Sequence, residues 1–163
     1  MFVLVGPSAS GKSTVAQMLV EQFGMKRAVT TTTRKRRRGE PADAYHFVSK
    51  ESFSADDMVE SQEYASNYYG LSKAEADGSN LVILEPKGAM ALRSYCGARG
   101  CYVVGIQVSR KAQAERMVMR GDSAKVINER IAFDAVAFQN FERVCDTVCS
   151  ADTVEELCAI IKE

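Results

Sequence analysis

The stretch Gly6-Pro7-Ser8-Ala9-Ser10-Gly11-Lys12-Ser13-Thr14 decides the fold of this chain. It matches the pattern G-x-x-x-x-G-K-[ST], in which backbone N–H groups and a lysine surround phosphate groups. The apolar run Phe2-Val3-Leu4-Val5 precedes it, and apolar residues at helical spacing follow it between Val15 and Phe23. This context predicts a strand, a phosphate-binding loop and a helix, and it disfavours a glycine-rich turn that happens to precede a helix.

Each residue type in this loop has a chemical task. Gly6 and Gly11 let the backbone turn its N–H groups inward, and the positive end of the following helix favours an anion. Lys12 is expected to reach the β- and γ-phosphates of a nucleotide, and the Ser13 hydroxyl is expected to bind Mg²⁺. The residues that we expect to bind ATP are Gly6, Ser8, Ser10, Gly11, Lys12, Ser13 and Thr14.

Composition and charge limit the other functions of the chain. Its 163 residues fit one domain, and a hydrophobic content of 46% supports a buried core. Lys and Arg together number 21, as do Asp and Glu, so no net charge attracts a nucleic acid or an anionic membrane. No apolar stretch approaches the roughly 20 residues of a membrane span, and Met1 directly precedes the first strand, so we expect a cytoplasmic protein.

Strand and helix patterns alternate along the rest of the chain. We predict strands at 44–48, 58–60, 67–70, 81–85, 101–108 and 144–149, and helices at 49–57, 72–77, 86–95, 110–120, 125–143 and 152–162. The alternation predicts an α/β protein with a mainly parallel sheet and helices on both faces. The short strands between 44 and 70 predict a small β-rich lobe, whose tyrosines either pack in its core or line a site. Glu85 ends the strand 81–85, which is the position of a Walker-B acid.

The most basic stretch of the chain is Arg34-Lys35-Arg36-Arg37-Arg38, directly after four threonines. Such a cluster is often a nucleic-acid patch or a solvated loop. A third interpretation is favoured beside a phosphate-binding loop, because guanidinium groups bind phosphate bidentately. The pattern therefore indicates a kinase that holds a second, phosphate-bearing substrate.

Several separated motifs resemble those of the guanylate kinase family. One is Thr32-Thr33-Arg34-Lys35-Arg36-Arg37-Arg38-Gly39-Glu40, closing on Ala44-Tyr45-His46-Phe47. Another is Asn67-Tyr68-Tyr69-Gly70, with Glu60 nine residues before its second tyrosine, and a third is Arg116 to Gly121 followed by Arg130. The resemblance covers nearly the whole chain. It implies a P-loop kinase fold with a three-layer core, a small β-rich lobe for the nucleoside monophosphate and a helical lid.

The resemblance also implies an activity and a set of site residues. The activity is direct phosphoryl transfer from ATP to GMP or dGMP with Mg²⁺, in which the protein supplies positioning and charge stabilisation. The residues implied to hold the acceptor are Arg34, Arg37, Tyr45 and Tyr69 at its phosphate, with Thr30, Glu60 and Glu85 toward its base. The residues implied in catalysis are Lys12, Arg37, Arg116, Arg120 and Arg130, of which the last three belong to the lid.

A division of the single domain 1–163 follows from the same resemblance. The implied parts are a core of 1–30, 80–109 and 142–163, an acceptor-binding lobe of about 31–79 and a lid of about 110–141. Four positions depart from the family pattern, since Leu71 replaces a serine that touches the base, Glu85 and Ala44 replace aspartates, and Ala151 replaces an asparagine near the ATP base pocket. We therefore expect a lower preference for guanine than in members that carry the serine, and we expect Leu71→Ser to raise it.

Two other functions stay open at the level of sequence. The same fold phosphorylates a ribose bisphosphate in some relatives of this family, and it forms non-catalytic protein-binding modules in others. Glu60 favours a base as the acceptor, because a carboxylate pairs with the N1–H and amino group of guanine. The intact Gly11-Lys12-Ser13 favours catalysis over a binding module. The expected partners are small nucleotides, with no nucleic acid and no membrane, and the sequence does not indicate an oligomeric state.

Overall fold

A four-stranded parallel sheet lies at the centre of the molecule, which we describe from a computed structural model covering residues 1–36, 39–64 and 66–150. The strand order in this sheet is β6-β1-β7-β8. The strands are β1 (Phe2–Val5), β6 (Leu81–Ile83), β7 (Tyr102–Gln107) and β8 (Thr147–Ser150). Parallel registers pair Leu4 with both Ile83 and Val104, so β1 has a neighbour on each side.

Helices cover both faces of this sheet because the side chains of β1 alternate between them. Val3 and Val5 are fully buried on one face, in the same core cluster as Leu92 of α3 (Pro86–Cys96). Leu4 is fully buried on the other face, with Leu19 of α1 (Lys12–Phe23). Near-continuous apolar strands of this kind are typical of parallel sheets that are covered twice. The predicted three-layer α/β core is thereby confirmed.

A second sheet has the order β3-β2-β5-β4 and is mainly antiparallel. Its strands are β2 (Thr31–Thr32), β3 (His46–Phe47), β4 (Met58–Tyr64) and β5 (Asn67–Ser72). The helix α2 (Lys73–Gly78) follows at once, and the Ser72 hydroxyl caps it by accepting the Glu75 N–H at 3.1 Å. This sheet is the β-rich part that the sequence predicted between helices.

Two further helices pack against each other after the central strand β7. They are α4 (Arg110–Met119) and α5 (Ala124–Ala137), and serine hydroxyls at 109 and 123 cap their first turns. No helix among residues 1–36, 39–64 and 66–150 is long and apolar enough to cross a membrane.

Two predicted helices differ from the structure. The helix expected at 49–57 is a single 3₁₀ turn at Ala55–Asp57, because this segment has too few apolar residues to bury a helical face and short helices gain little on their own. The helix expected to reach residue 143 ends at Ala137, and Asn140 then takes a left-handed conformation with φ of 54° before a 3₁₀ turn. The helix expected at 152–162 lies outside the described residues.

Candidate functional site

The loop between β1 and α1 needs glycine at both glycine positions of the motif, Gly6 and Gly11. A Cβ placed on Gly6 would lie 2.5 Å from the carbonyl oxygen of Ile106, so the end of β1 approaches β7 too closely for any side chain. Gly11 precedes α1 with φ of 100°, a left-handed conformation that L side chains rarely adopt. Ala9 also has positive φ, at 56°. These backbone conformations curve the loop around one side chain, that of Lys12.

Lys12 is the side chain enclosed by this loop. Its Nζ donates to the carbonyl oxygen of Pro7 at 2.7 Å and to the Ser10 hydroxyl at 3.3 Å. Burial lowers the pKa of Lys12 to about 8, and the nearby carboxylates of Asp134 and Glu85 oppose that shift. The lysine is thus an ammonium group poor in water contacts, a state that favours binding of an anion.

A cavity of about 360 Å³ opens beside Lys12. It lies between the loop, the second sheet and the helix α5. Most of the residues predicted for the site line it, namely Gly6, Ser8, Lys12, Thr30, Arg34, Tyr45, Glu60, Tyr69, Glu85 and Arg130. Four segments far apart in the sequence therefore meet around one space. Arg37 lies outside the described residues.

Arg34 stands at one end of the cavity with its guanidinium fixed from two sides. Glu40 accepts two hydrogen bonds from it, at 2.6 and 3.0 Å, and this pairing raises the pKa of Arg34. The guanidinium also lies over the rings of Tyr45, at 5.4 Å, and Phe47, at 5.7 Å. Tyr69 packs edge-on against Tyr45. Arg34 and the two tyrosines form a rigid group whose planar cation and hydroxyls suit a phosphate.

Two carboxylates also line the cavity, those of Glu60 and Glu85. Burial, and then the charge of Glu85, raises the pKa of Glu60 to about 7, while a hydrogen bond from the Leu71 N–H opposes the shift. Burial also raises the pKa of Glu85, which follows β6, and a hydrogen bond from the Gln62 amide partly offsets this. Desolvated carboxylates of this kind gain strongly from N–H donors on a ligand.

The three predicted lid arginines have different positions. Arg130 lines the cavity from α5. Arg116 donates from α4 to the carbonyl oxygen of Ala9 at 3.1 Å and so contacts the loop itself. Arg120 forms an ion pair with Asp122 and is not among the described residues that line the cavity. The structure therefore brings Arg130 to the cavity and Arg116 to the loop, and it brings Arg120 to neither.

Three of the remaining predicted residues belong to the loop but not to the cavity lining. Ser10 is buried beneath the loop and accepts a hydrogen bond from Lys12. Ser13 and Thr14 are exposed in the first turn of α1. Their hydroxyls lie at the helix N-terminus, where oxygen donors and backbone N–H groups are both accessible.

Leu71 has a different environment from the one that the family comparison implied. Its side chain is fully buried and packs in the same core cluster as Val5 and Leu84. It is not among the described residues that line the cavity. The position therefore supports the junction of the two sheets, and the structure gives no support to the expectation that a serine here would add a base contact.

Besides Gly70, Ile83, Leu84, Phe133 and Phe138 of the cavity lining, sequence reasoning missed four polar residues at the site. They are Glu40, Gln62, Gln113 and Asp134. The clearest signal belongs to Asp134, which is the only polar residue in the apolar run 131–138 and is buried in the structure. Glu40 and Gln62 had a weaker signal, as polar residues beside predicted site residues.

Comparison with known proteins places these features in one family. The family model for guanylate kinase matches residues 1–163. The chain is 32% identical to the guanylate kinase of Chlorobium luteolum, over 96% of this chain and 85% of that protein. It is 34% identical to the guanylate kinase of Symbiobacterium thermophilum, over 81% of this chain and 68% of that protein. The crystal structure of guanylate kinase from Anaplasma phagocytophilum matches with a TM-score of 0.67 and 25% identity, over 99% of this chain and 81% of that one.

Proposed function

This chain belongs to the guanylate kinase family, and from that premise we propose that it transfers the terminal phosphoryl group of ATP to GMP or dGMP. One observation carries the proposal. One cavity of about 360 Å³ is lined at once by Lys12 of the P-loop, by Arg34 with its tyrosines, and by Glu60. Groups suited to a donor phosphate, an acceptor phosphate and a base thus face one space.

The donor half of the site is assigned to the P-loop and the lid. Phosphoryl transfer needs in-line positioning and stabilisation of charge on the transferred group, and it needs no covalent nucleophile. We assign Lys12 to the β- and γ-phosphates, and we assign Arg116 and Arg130 to the charge that develops during transfer. Arg120 forms an ion pair with Asp122 and is not among the described residues that line the cavity, so we assign it no contact with a substrate.

The acceptor half is assigned to the second sheet and the segment before it. Arg34, Tyr45 and Tyr69 are given the phosphate of GMP, with Arg37 added on the family resemblance. Glu60 is given guanine, because its desolvated carboxylate accepts hydrogen bonds from N1–H and the 2-amino group. A sugar phosphate offers neither donor, so Glu60 favours a nucleotide over a ribose bisphosphate. Thr30 and Glu85 lie beside Glu60 on the cavity wall.

The oxygen donors at the P-loop fit Mg²⁺. The Ser13 hydroxyl is exposed at the start of α1, and the Glu85 carboxylate faces Lys12, so hard oxygen ligands stand near the proposed phosphates. Bound Mg²⁺ would neutralise charge on the phosphates of ATP. Lys12 and the lid arginines supply the rest of the positive charge from this chain.

The family division of the chain completes the proposal. We assign the core to 1–30, 80–109 and 142–163, the acceptor-binding lobe to about 31–79 and the lid to about 110–141. Closure of the lobe and the lid over both substrates would exclude water from the transferred group. The cytoplasm is the proposed location, since it supplies ATP and GMP.

The proposal is tested with a coupled assay for ADP release. Purified protein is given ATP and Mg²⁺ with GMP, dGMP, AMP, ribose 1,5-bisphosphate or no acceptor, and Lys12→Ala serves as the control for contaminating kinases. We expect kcat/KM for GMP to exceed that for AMP and for the sugar phosphate by at least about 100-fold. A preference for ribose 1,5-bisphosphate would move the function to a sugar kinase. No ADP release above the Lys12→Ala background with any acceptor would leave a binding module.

A further inference from the structure

We propose that Asp134 is a positioning residue for phosphoryl transfer, whose carboxylate docks both lid helices on the P-loop and so places Arg116 and Arg130 at the donor phosphates. The inference rests on the proposed function of the donor site. It gives a role to a residue of the cavity lining that the sequence motifs did not single out.

The Asp134 carboxylate is the meeting point of three elements. Asp134 belongs to α5 and is only 6% exposed. Its Oδ2 accepts the backbone N–H of Ser8 in the P-loop at 2.8 Å. The same oxygen accepts a hydrogen bond from Nε2 of Gln113, a buried residue of α4. One carboxylate thus joins α4 and α5 to the loop that encloses Lys12.

Both lid arginines lie one helical turn from this junction. Arg130 precedes Asp134 by four residues on α5, and Arg116 follows Gln113 by three residues on α4. Residues three or four apart share one face of a helix, so fixing one of them fixes the other. The arginine positions agree with this geometry, since Arg130 lines the cavity and Arg116 donates to Ala9. The docking of Asp134 therefore sets where both guanidinium groups stand.

The chemistry of the contact favours one docked position over many. Asp134 interrupts the apolar run 131–138, and an apolar face alone could slide over the loop at little cost. A buried carboxylate without donors is strongly unfavourable, so it holds the helix where Ser8 and Gln113 can both donate to it. Among charged neighbours, Lys12 attracts Asp134 and Glu85 repels it. The attraction to Lys12 adds to the docking on the loop.

The first test compares two substitutions at this position. Asp134→Ala removes all acceptors, and we expect kcat/KM for ATP to fall by at least about 30-fold, a size typical of misplaced catalytic groups. KM for GMP should change by less than about threefold, because the described hydrogen bonds of Asp134 go to Ser8 and Gln113 and not to the residues assigned to the acceptor. Asp134→Asn keeps an oxygen for Ser8 and can pair with a reversed Gln113 amide, so it should retain most of the activity. Asp77→Ala, which removes a surface carboxylate paired with Arg99, is the matched control.

A double-mutant cycle separates positioning from general damage. If Asp134 acts through Arg130, the Asp134→Ala, Arg130→Ala double variant should lose little more activity than the worse single variant. Losses that multiply would overturn the proposal, as would an equal rise of KM for ATP and for GMP. Thermal unfolding confirms that each variant is folded. If Asp134→Ala is not, the Gln113→Ala, Arg116→Ala cycle applies the same criterion to the α4 side.

Calorimetric titration with a non-hydrolysable ATP analogue keeps the inference distinct from the proposed function. We expect Asp134→Ala to weaken binding of the analogue by at least about tenfold without any acceptor present. Tighter binding would mean that the carboxylate competes with phosphate, which would overturn the positioning role. A wild-type protein that binds the analogue but does not phosphorylate GMP would refute the proposed acceptor alone, and the titration would still judge Asp134.

Discussion

The carboxylate of Glu60 packs directly against Gly88, so closely that a side chain at residue 88 would have to displace it. A Cβ placed on Gly88 would lie 3.1 Å from Cδ of Glu60 and 3.2 Å from its Oε2. Gly88 is in the first turn of α3, which covers the central sheet, whereas Glu60 is on β4 of the second sheet. The φ of Gly88 is not in the left-handed region, so the backbone conformation does not favour glycine here. What favours glycine is the close approach of the Glu60 carboxylate.

Gly88→Ala is expected to affect the acceptor and not the donor. The added methyl group must displace the flexible end of Glu60, so we expect KM for GMP to rise by about tenfold while KM for ATP stays within about twofold. Stability should hold or increase, because alanine favours a helix over glycine by about 1 kcal/mol. Steady-state kinetics and thermal unfolding measure both quantities. Gly78→Ala is the control, since a Cβ there would meet only Lys26 Nζ at 3.7 Å. A KM for GMP that equals the wild-type value would show that Glu60 does not contact the acceptor.

The raised pKa of Glu60 predicts that binding of GMP depends on pH. With a pKa of about 7, the side chain is mostly protonated in mildly acidic solution and ionised above neutrality. Only the carboxylate can accept from both guanine donors, so KM for GMP should fall as pH rises from about 6 to about 8. Initial rates at saturating ATP measure this, and Glu60→Gln should show no such dependence. The same pH profile in both proteins would assign the titration to another group.

The same pKa makes Glu60 a source of pH-dependent stability. A carboxyl whose folded pKa is raised from 4.5 to about 7 contributes stability that is present below pH 4.5 and is lost as pH rises through about 7. The Glu60→Gln variant has no charge to bury at this position. Its free energy of unfolding should therefore rise relative to that of the wild-type protein between acidic pH and pH 8, by about 2 kcal/mol. Urea unfolding of both proteins at acidic and alkaline pH measures the difference. An advantage of equal size at both pH values would contradict it.

Lys12→Ala should remove activity and keep the fold. The ammonium makes its hydrogen bonds within the loop, and its proposed charge contribution to transfer predicts a fall in kcat of at least about 1000-fold. In the wild-type protein, a pKa of about 8 predicts that kcat/KM for ATP declines in more alkaline solution as Lys12 loses its proton. Rates across pH and circular dichroism of the variant check these expectations. Activity within about tenfold of the wild-type value would refute the role of the loop.

Leu71→Ser is now expected to destabilise the protein rather than to sharpen its preference for guanine. Leu71 has no exposed surface, and replacing a buried leucine by a small polar residue costs about 3 kcal/mol or more through lost packing and an unpaired hydroxyl. Urea unfolding should show this loss. The ratio of GMP to AMP activity should stay unchanged in the folded fraction, and an increase would mean that the hydroxyl reaches the base.

The parts of the site that the sequence predicted are those carried by local patterns. The P-loop is recognisable from its glycines, because the backbone of the loop needs glycine at those positions. The close approach of Gly6 to Ile106 is one example. The apolar run that begins at Leu81 and the motif around Tyr69 are also short, contiguous patterns, so each could be recognised without knowing its distant neighbours. The sequence did not decide whether Tyr45 and Tyr69 pack in the core of the lobe or line a site. In the structure both line the cavity.

The parts that the sequence did not predict depend on contacts between distant segments. Asp134 and Ser8 are 126 residues apart, so an acid in an apolar run could be recognised as unusual but its partner could not be identified. Leu71 pairs with Glu60 across the β4–β5 hairpin and so shares a face with Tyr69, but alternation alone does not say how far the cavity extends along that face. Only the packing of the second sheet on the first decides it.

The two halves of the cavity are built on different sheets, and this has an evolutionary consequence. Lys12 of the donor half begins the helix that follows β1 of the parallel sheet, whereas Glu60, Gln62 and Tyr69 of the acceptor half stand on the β4–β5 hairpin. Side chains of the hairpin that face the cavity can be exchanged without disturbing the parallel register on which the P-loop depends. Selection can therefore alter the acceptor while ATP remains the donor, so that new phosphotransferase specificities can arise from this scaffold by substitutions in one short hairpin.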